Sequence, residues 1–406
     1  MRARVVITGI GWVTPLGAGR DRVWGALLAG RSAVSPVESF DPSPYGVSLG
    51  AEVKDFRAED YMPAALASSA GRATQMALAS ALMAVEDAGV EPGGFEPERA
   101  GVSLGTTSGE PLEVERLNDL RASGEDGPPE FASRYPCHQI ASNVAAALGL
   151  AGVNLMTASA CAAGNHAIAF AADALRAGRS DLMLAGGADA FSRIIYAGFA
   201  RLGALAPERC QPFDRNRRGL IPGEGACVLV LETLERAARR GARIYAEVAG
   251  YGLTCDAHHM TAGHPDGEGA ARAMADALGE SGLRPEEVDY ISAHGTGTPT
   301  NDRLETIAVK RVFGGAADRL AISSVKSMIG HTMGAASAVE AAVCALAICE
   351  GRVPPTINLE EPDAECDLDY VPNLAREMRV DVAMSNAYAF GGNNSSLVLK
   401  KCGVDA

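Results

Sequence analysis

Along the chain, short unbroken apolar runs alternate with longer stretches in which small and apolar residues recur at helical spacing. "ARVVITGIG" (3–11), "RAGVSLGTTSG", "DLMLAGGADA" and "CVLVLE" have the length and continuity of buried strands. "GRATQMALASALMAVEDAGV" and "CAAGNHAIAFAADALRAG" predict helices closed by Gly89 and Gly178. The second half repeats this order. "ARIYAEVAGYG" restates the opening strand, and "GEGAARAMADALGESGLRPEEVDYISAHGTGT" restates helix, Pro/Glu loop, strand and Gly/Thr loop. "LAISSVKSMIGHTMGAASAVEAAVCALAICEG" parallels "LMTASACAAGNHAIAFAADALRAG", and "SSLVLKK" closes the chain with a strand. An offset of roughly 165 to 190 residues is too long for a solenoid and fits a duplicated domain. The pattern predicts an α/β protein of two similar halves, 1–245 and 246–406, packed face to face with their strand-end loops at one cleft.

Composition narrows the setting. The 406 residues are 47% hydrophobic and 21% charged, and no apolar run is read as approaching the ~18 residues of a membrane helix. The basic, apolar N-terminus is broken by glycines and a proline, which favours a strand and turn over a signal peptide. A net charge of −14 disfavours nucleic acid or an anionic membrane as partner. Nine cysteines, an odd number without a CxxC pair, argue against a disulfide framework or zinc ribbon and predict a cytoplasmic protein.

Four strand-end loops carry the residues with chemical potential. Cys161 in "TASACAAGNH" stands at a predicted helix N-terminus, where free amides and the helix dipole favour a thiolate. Ser159, Ala160, Ala162, Ala163 and Gly164 would leave a substrate room beside it. His294 follows the strand "VDYIS" in "SAHGTGTPTND", and Lys326 and His331 share "SVKSMIGH". Glu340, in an otherwise apolar helix, is the evident partner for a buried Lys326 and could help orient His331. In "FGGNN", Gly391 and Gly392 let backbone amides approach a ligand behind Phe390. Each has a bland alternative: an inert core thiol, a structural histidine, an architectural ion pair, a tight turn. His258, His259 and His264 are spaced too loosely for a metal site, and "GIGWVT" lacks the third glycine and acidic residue of a dinucleotide fingerprint.

Taken together, "TASACAAG", "AHGTGTPTND", "SSVKSMIGHTMGAASAVE" and "NAYAFGGNN" resemble the motifs of the elongating β-ketoacyl-acyl-carrier-protein synthases of the thiolase-like superfamily. The similarity extends from "VVITGIGWVTPLG" to "SSLVLKK". It implies the five-layered α-β-α-β-α thiolase-like fold, a dimer, and decarboxylative condensation of malonyl-carrier protein with an acyl group held on Cys161. By the same resemblance His294 and His331 stabilise the enolate, Lys326 fixes His331 and the local charge, and Asp302 and Glu340 support them. Amides of Cys161 and Phe390 would form the oxyanion hole, with Phe390 as a gate hinged on Gly391 and Gly392. No cofactor is implied beyond the phosphopantetheine arm of the carrier protein.

Histidine at both 294 and 331 separates the chain from Cys/His/Asn relatives, and the absence of a cysteine in "FGGNN" separates it from thiolases. Inactive chain-length factors replace the nucleophile, which is present here. A thiolase acting on coenzyme A esters and a non-catalytic partner subunit remain the rival readings. Fatty-acid members tend to cluster lysines and arginines on the early helix beside the tunnel mouth, whereas "ALASSAGRATQ" offers only Arg72. Arg215, Arg217 and Arg218 are the other candidates for carrier docking, and Ile194 and Phe199 for the acyl pocket. With the idiosyncratic "GEPLEVERLNDLRASGEDGPPEFASRYP", these differences allow either fatty-acid elongation or a type II polyketide ketosynthase paired with a chain-length-factor-like subunit.

Overall fold

The computed structural model describes residues 3–91, 93–127 and 129–403; the outermost positions of both predicted halves lie outside these. In chain order the main strands are β1 (Val5–Thr14), β2 (Ala100–Gly105), β3 (Asn154–Thr157), β4 (Leu182–Asp189), β5 (Gly225–Thr233), β6 (Ala246–Cys255), β7 (Tyr290–Ser292), β8 (Ala321–Ser323), β9 (Val382–Tyr388) and β10 (Asn393–Lys400). The main helices are α1 (Arg72–Asp87), α2 (His138–Leu148), α3 (Ala163–Arg176), α4 (Arg193–Arg201), α5 (Glu268–Ser281), α6 (Pro299–Phe313) and α7 (Ala336–Glu350). The first strand runs further than the sequence suggests, passing through Gly9 and Gly11 with an irregularity in its pairing to β5 between Ile7 and Gly9.

The strands follow one hydrogen-bonded path, β8-β7-β9-β10-β6-β1-β5-β4-β2-β3, with the short strand Gly17–Ala18 paired to β1. From either edge inward, the third strand of a half comes first, then its second, fourth, fifth and first. The first two neighbour pairs are parallel and the next two antiparallel in both halves. This shared order is the duplication visible in the sequence. The two halves are joined in one hydrogen-bonded path by antiparallel pairing of Val5–Ile7 with Ala246–Val248.

Helices α1 and α2 cover the outer face of the first half's strands, α5 and α6 lie on the outer side of the second half, and α3 and α7 lie between the two sets. The result is five layers, α-β-α-β-α. Apart from Ser337, Glu340 and the terminal Glu350, helix α7 is apolar on every side because it packs on strands of both halves. With the turn before it, Met333–Glu350 has the length and mean hydropathy of a membrane span, contrary to the reading of the sequence. Since 89% of that stretch is buried inside the fold, it is a core helix. The central position of α3 and α7 brings the loops before them together at one level.

Candidate active site

Strand β3 ends at Thr157, and a 3-10 turn over Ala160–Ala162 delivers Cys161 to the start of α3. Ala160 takes a positive φ of 50°, a strained conformation for a residue with a side chain. The small residues around the cysteine answer to packing more than to substrate access. A Cβ on Gly164 would lie 2.6 Å from the Ala338 backbone nitrogen, so α3 and α7 touch there with no room between them. Cys161 itself is buried. Burial pushes its thiol up to about 12, with the Asp189 charge adding to the rise and Lys326 opposing it. This corrects the expected thiolate: desolvation of the anion outweighs the favourable helix end.

His294 and His331 reach the same place from the second half. Their imidazole rings are 5.4 Å apart at 82°. Burial, followed by the nearby Lys326 charge, holds both well below the usual histidine range, so both rings are neutral. Nδ1 of His331 accepts the Met333 backbone N–H at 3.1 Å, which leaves the proton on Nε2. The loop bearing His294 is held by Glu305, whose two carboxylate oxygens accept the His294 and Gly295 amides at 2.9 and 2.8 Å. Tyr388 stacks edgewise on His294 at 5.8 Å.

Lys326, at the start of a short helix Lys326–Ile329, forms a buried ion pair with Glu340. Its ammonium group donates to Glu340, and the partner fixing His331 is the Met333 amide, so Lys326 acts on the histidines through its charge. Asp302 accepts the amides of Phe213 at 2.8 Å and Gly297 at 3.2 Å, tying the glycine-threonine loop to the segment at Phe213. Phe390 is 40% exposed and packs on Phe199 at 5.8 Å. Behind it Gly391 and Gly392 have φ of 83° and 76°, and the turn is fastened by Gly391 N–H to Met260 O at 2.8 Å and Asp256 N–H to Gly392 O at 2.9 Å.

Cys161, His294, His331 and Phe390 line one cavity of about 210 Å³, together with Phe199, Glu305 and Tyr388. Among the described residues, no group of three or more His, Cys, Asp and Glu is arranged to hold a metal ion. The cavity offers a thiol, two neutral N–H-bearing rings and a half-exposed aromatic cap, a set suited to acyl transfer and to stabilising a developing enolate.

Several residues are not where the sequence analysis places them. Arg72 donates to Glu224 at 2.7 and 2.9 Å and to Val53 O, joining α1 to the core rather than facing a partner. Arg217 is buried between Asp214 O, Pro299 O, Asp302 and Asp363. Arg215 and Arg218 are exposed. Ile194 sits in the first turn of α4, 44% exposed, and is absent from the cavity lining, whereas Phe199 is in it. Glu305 and Tyr388 also line the cavity, and Asp189 lies behind it, three residues that the sequence motifs did not single out. The Asp189 carboxylate accepts from Thr106 and Ser108 hydroxyls, the Thr107 and Ser108 amides and Gly334 N–H, binding the loop after β2 to the turn after His331. A carboxylate on the buried face of α6, three residues after Asp302, is the one signal that could have drawn attention to Glu305.

The model for the β-ketoacyl synthase N-terminal domain matches residues 2–237, and that for the C-terminal domain matches residues 245–360. The chain belongs to the β-ketoacyl synthase family. It is 43% identical over 412 residues to a 3-oxoacyl-[acyl-carrier-protein] synthase 2 of Synechocystis sp., covering 98% of each chain. Among solved structures it is similar to the ishigamide ketosynthase/chain length factor, with 43% identity, a TM-score of 0.94, and 99% of this chain and 100% of that one covered. It is also similar to a type II polyketide ketosynthase solved with its acyl-carrier protein and bound to the hexaketide, with 33% identity, a TM-score of 0.91 and the same coverage. These neighbours make the five-layered arrangement a thiolase-like ketosynthase fold. The family is that of the acyltransferase-class condensing enzymes.

Proposed function

We propose that this β-ketoacyl synthase takes an acyl group from a carrier protein onto Cys161 and extends it by two carbons with malonyl-carrier protein. The observation that carries this reading is the convergence of Cys161, His294 and His331 on one cavity capped by Phe390. The Cys161 sulfur attacks the thioester carbonyl, and the amides of Cys161 and Phe390 face the oxyanion. As the tetrahedral adduct collapses, the phosphopantetheine thiolate leaves and takes the proton that the thiol gave up. The resting thiol thus needs no permanent thiolate, in keeping with its high pKa.

Malonyl-carrier protein enters next. Its C–C bond to the carboxylate breaks, carbon dioxide leaves, and the electron pair passes to the thioester oxygen as an enolate. Nε2–H groups of His294 and His331 are suited to stabilise that oxygen, because neutral donors favour the enolate without also holding the carboxylate in place. The enolate carbon attacks the acyl-cysteine carbonyl, the Cys161 sulfur departs, and one proton from water restores the thiol. Lys326 and Glu340 set the field around the rings, Asp302 supports the loop of His294, and Phe390 gates the acyl route on Gly391 and Gly392.

The phosphopantetheine arm arrives as substrate. Arg215 and Arg218 are the exposed cations retained from the predicted docking patch. The structural neighbours support a carrier-protein partner, and the ishigamide ketosynthase/chain length factor supports pairing with a chain-length-factor-like subunit; a second copy of this chain is the alternative mate. The polypeptide divides in function at 245/246, the nucleophile in the first part and both histidines in the second. An odd number of cysteines without a CxxC pair suits a reducing cytoplasm.

Incubation with an acyl-carrier protein followed by mass spectrometry is expected to place one acyl group on Cys161, and Cys161→Ala is expected to carry none. A folded wild-type protein that stays unmodified overturns the reading in favour of a non-catalytic subunit. Cleavage of acetoacetyl-coenzyme A would favour a thiolase.

A further inference from the structure

Two buried polar atoms of cavity-lining residues have no hydrogen-bond partner among the described residues: Nδ1 of His294 and the phenol oxygen of Tyr388. Their rings meet edge to face, and both line the same cavity as Glu305. The contrast with the second histidine is instructive. The Met333 amide fixes His331 with its proton on Nε2, but no backbone donor does this for His294. An imidazole with a free Nδ1 divides between two tautomers, and only the one protonated on Nε2 can donate into the cavity from that atom.

We propose that Tyr388 is a positioning residue that holds His294 in its Nε2–H form through one water. That water gives one hydrogen to Nδ1 of His294 and the other to a Glu305 oxygen, and accepts the phenol proton of Tyr388. The arrangement satisfies all three groups, and about three hydrogen bonds is the usual complement of a buried water. Glu305 has capacity to spare in either protonation state: each oxygen accepts one backbone amide and keeps a further lone pair, while burial pushes its carboxyl up to about 7 against the hydrogen bonds from Gly295 and His294. Both atoms are closed to a water-sized sphere as the rings stand, so the water enters with a small rotation of Tyr388 toward the cavity that both residues line. Tyr388 remains a donor because burial, then the charges of Glu305 and Asp256, raise its pKa well above the usual tyrosine value. Lys326 and His331 are the other charged or titratable groups acting on His294, and both disfavour its protonation.

The proposal rests on the condensing reaction proposed above, with His294 as a donor to the enolate oxygen. Tyr388→Phe keeps the ring against His294 and removes only the hydroxyl. Cys161 acylation serves as the control for folding and for the underlying reading, and is expected to proceed within about twofold of wild type. Malonyl-carrier decarboxylation is expected to lose kcat by on the order of tenfold or more with KM little changed, the scale on which an outer hydrogen-bond partner of a working imidazole acts. The acid limb of its pH profile should move to higher pH, because losing a donor to Nδ1 makes that nitrogen easier to protonate. In proteins labelled with 15N-histidine, the His294 signal should shift from the Nε2–H form toward a mixture. Unchanged kcat and acid limb would overturn the proposal, as would a rise confined to KM, which would mean the phenol binds substrate. Failure of wild-type Cys161 to acylate strikes the underlying reading instead.

Discussion

The ionisable side chains of this protein take their roles from what is buried beside them. Arg72 shows this in structural form: its guanidinium meets a Glu224 carboxylate that is almost wholly enclosed. Arg72→Ala strands that charge and is expected to cost about 3 kcal/mol in chemical denaturation, with no selective rise in KM for carrier protein. Glu110 shows it in pH dependence. Burial pushes its carboxyl up to about 7, against the opposing hydrogen bonds from Thr74 and Ala73. The unfolded chain releases this proton near the ordinary 4.5. The folded state therefore binds more protons between about 4.5 and 7, and stability falls as pH rises through that window. Glu110→Gln removes the effect, so its stability relative to wild type should improve by roughly 1–3 kcal/mol between pH 5 and 8. Denaturant titrations at the two pH values check the sign.

At the scale of elements, the crossing of α3 and α7 decides whether the reacting groups meet. Gly164 is the contact point, and Gly164→Ala must push a methyl into the α7 backbone. Overpacking of this kind costs about 1–3 kcal/mol, and the displacement falls on the turn bearing Cys161. A lower melting temperature together with slower acylation is expected, and unaltered acylation would place the strain elsewhere. Much of this level was legible beforehand. Cys161, His294, Lys326, His331 and Phe390 stand at strand ends among glycines, where local sequence advertises an exposed turn. Asp189 and Tyr388 also end strands near glycines, but what they do depends on partners that arrive through tertiary packing, and Glu305 lies inside α6. The sequence does not show the ion pairs of Arg72 and Arg217 for the same reason: their acidic partners lie 152 and 146 residues away in the chain. Ile194 fails on geometry, because the first turn of α4 faces it outward.

For the whole molecule, the repeated order of strands and helices was readable because glycine-closed helices and apolar strands recur in the same sequence. The seam of three residue pairs between β1 and β6 was not readable, because strand pairing between distant segments leaves no periodic trace. That seam has a consequence for how the protein can be built. Cleaving the genetic message after exposed Gly241 would give one piece carrying the thiol and another carrying both imidazoles. Neither piece holds a complete reaction centre, while each keeps the surface its counterpart covers. Co-expressed, they are expected to reassemble, and on dilution condensation should decline with the product of the two concentrations, as in a reaction of two half-enzymes.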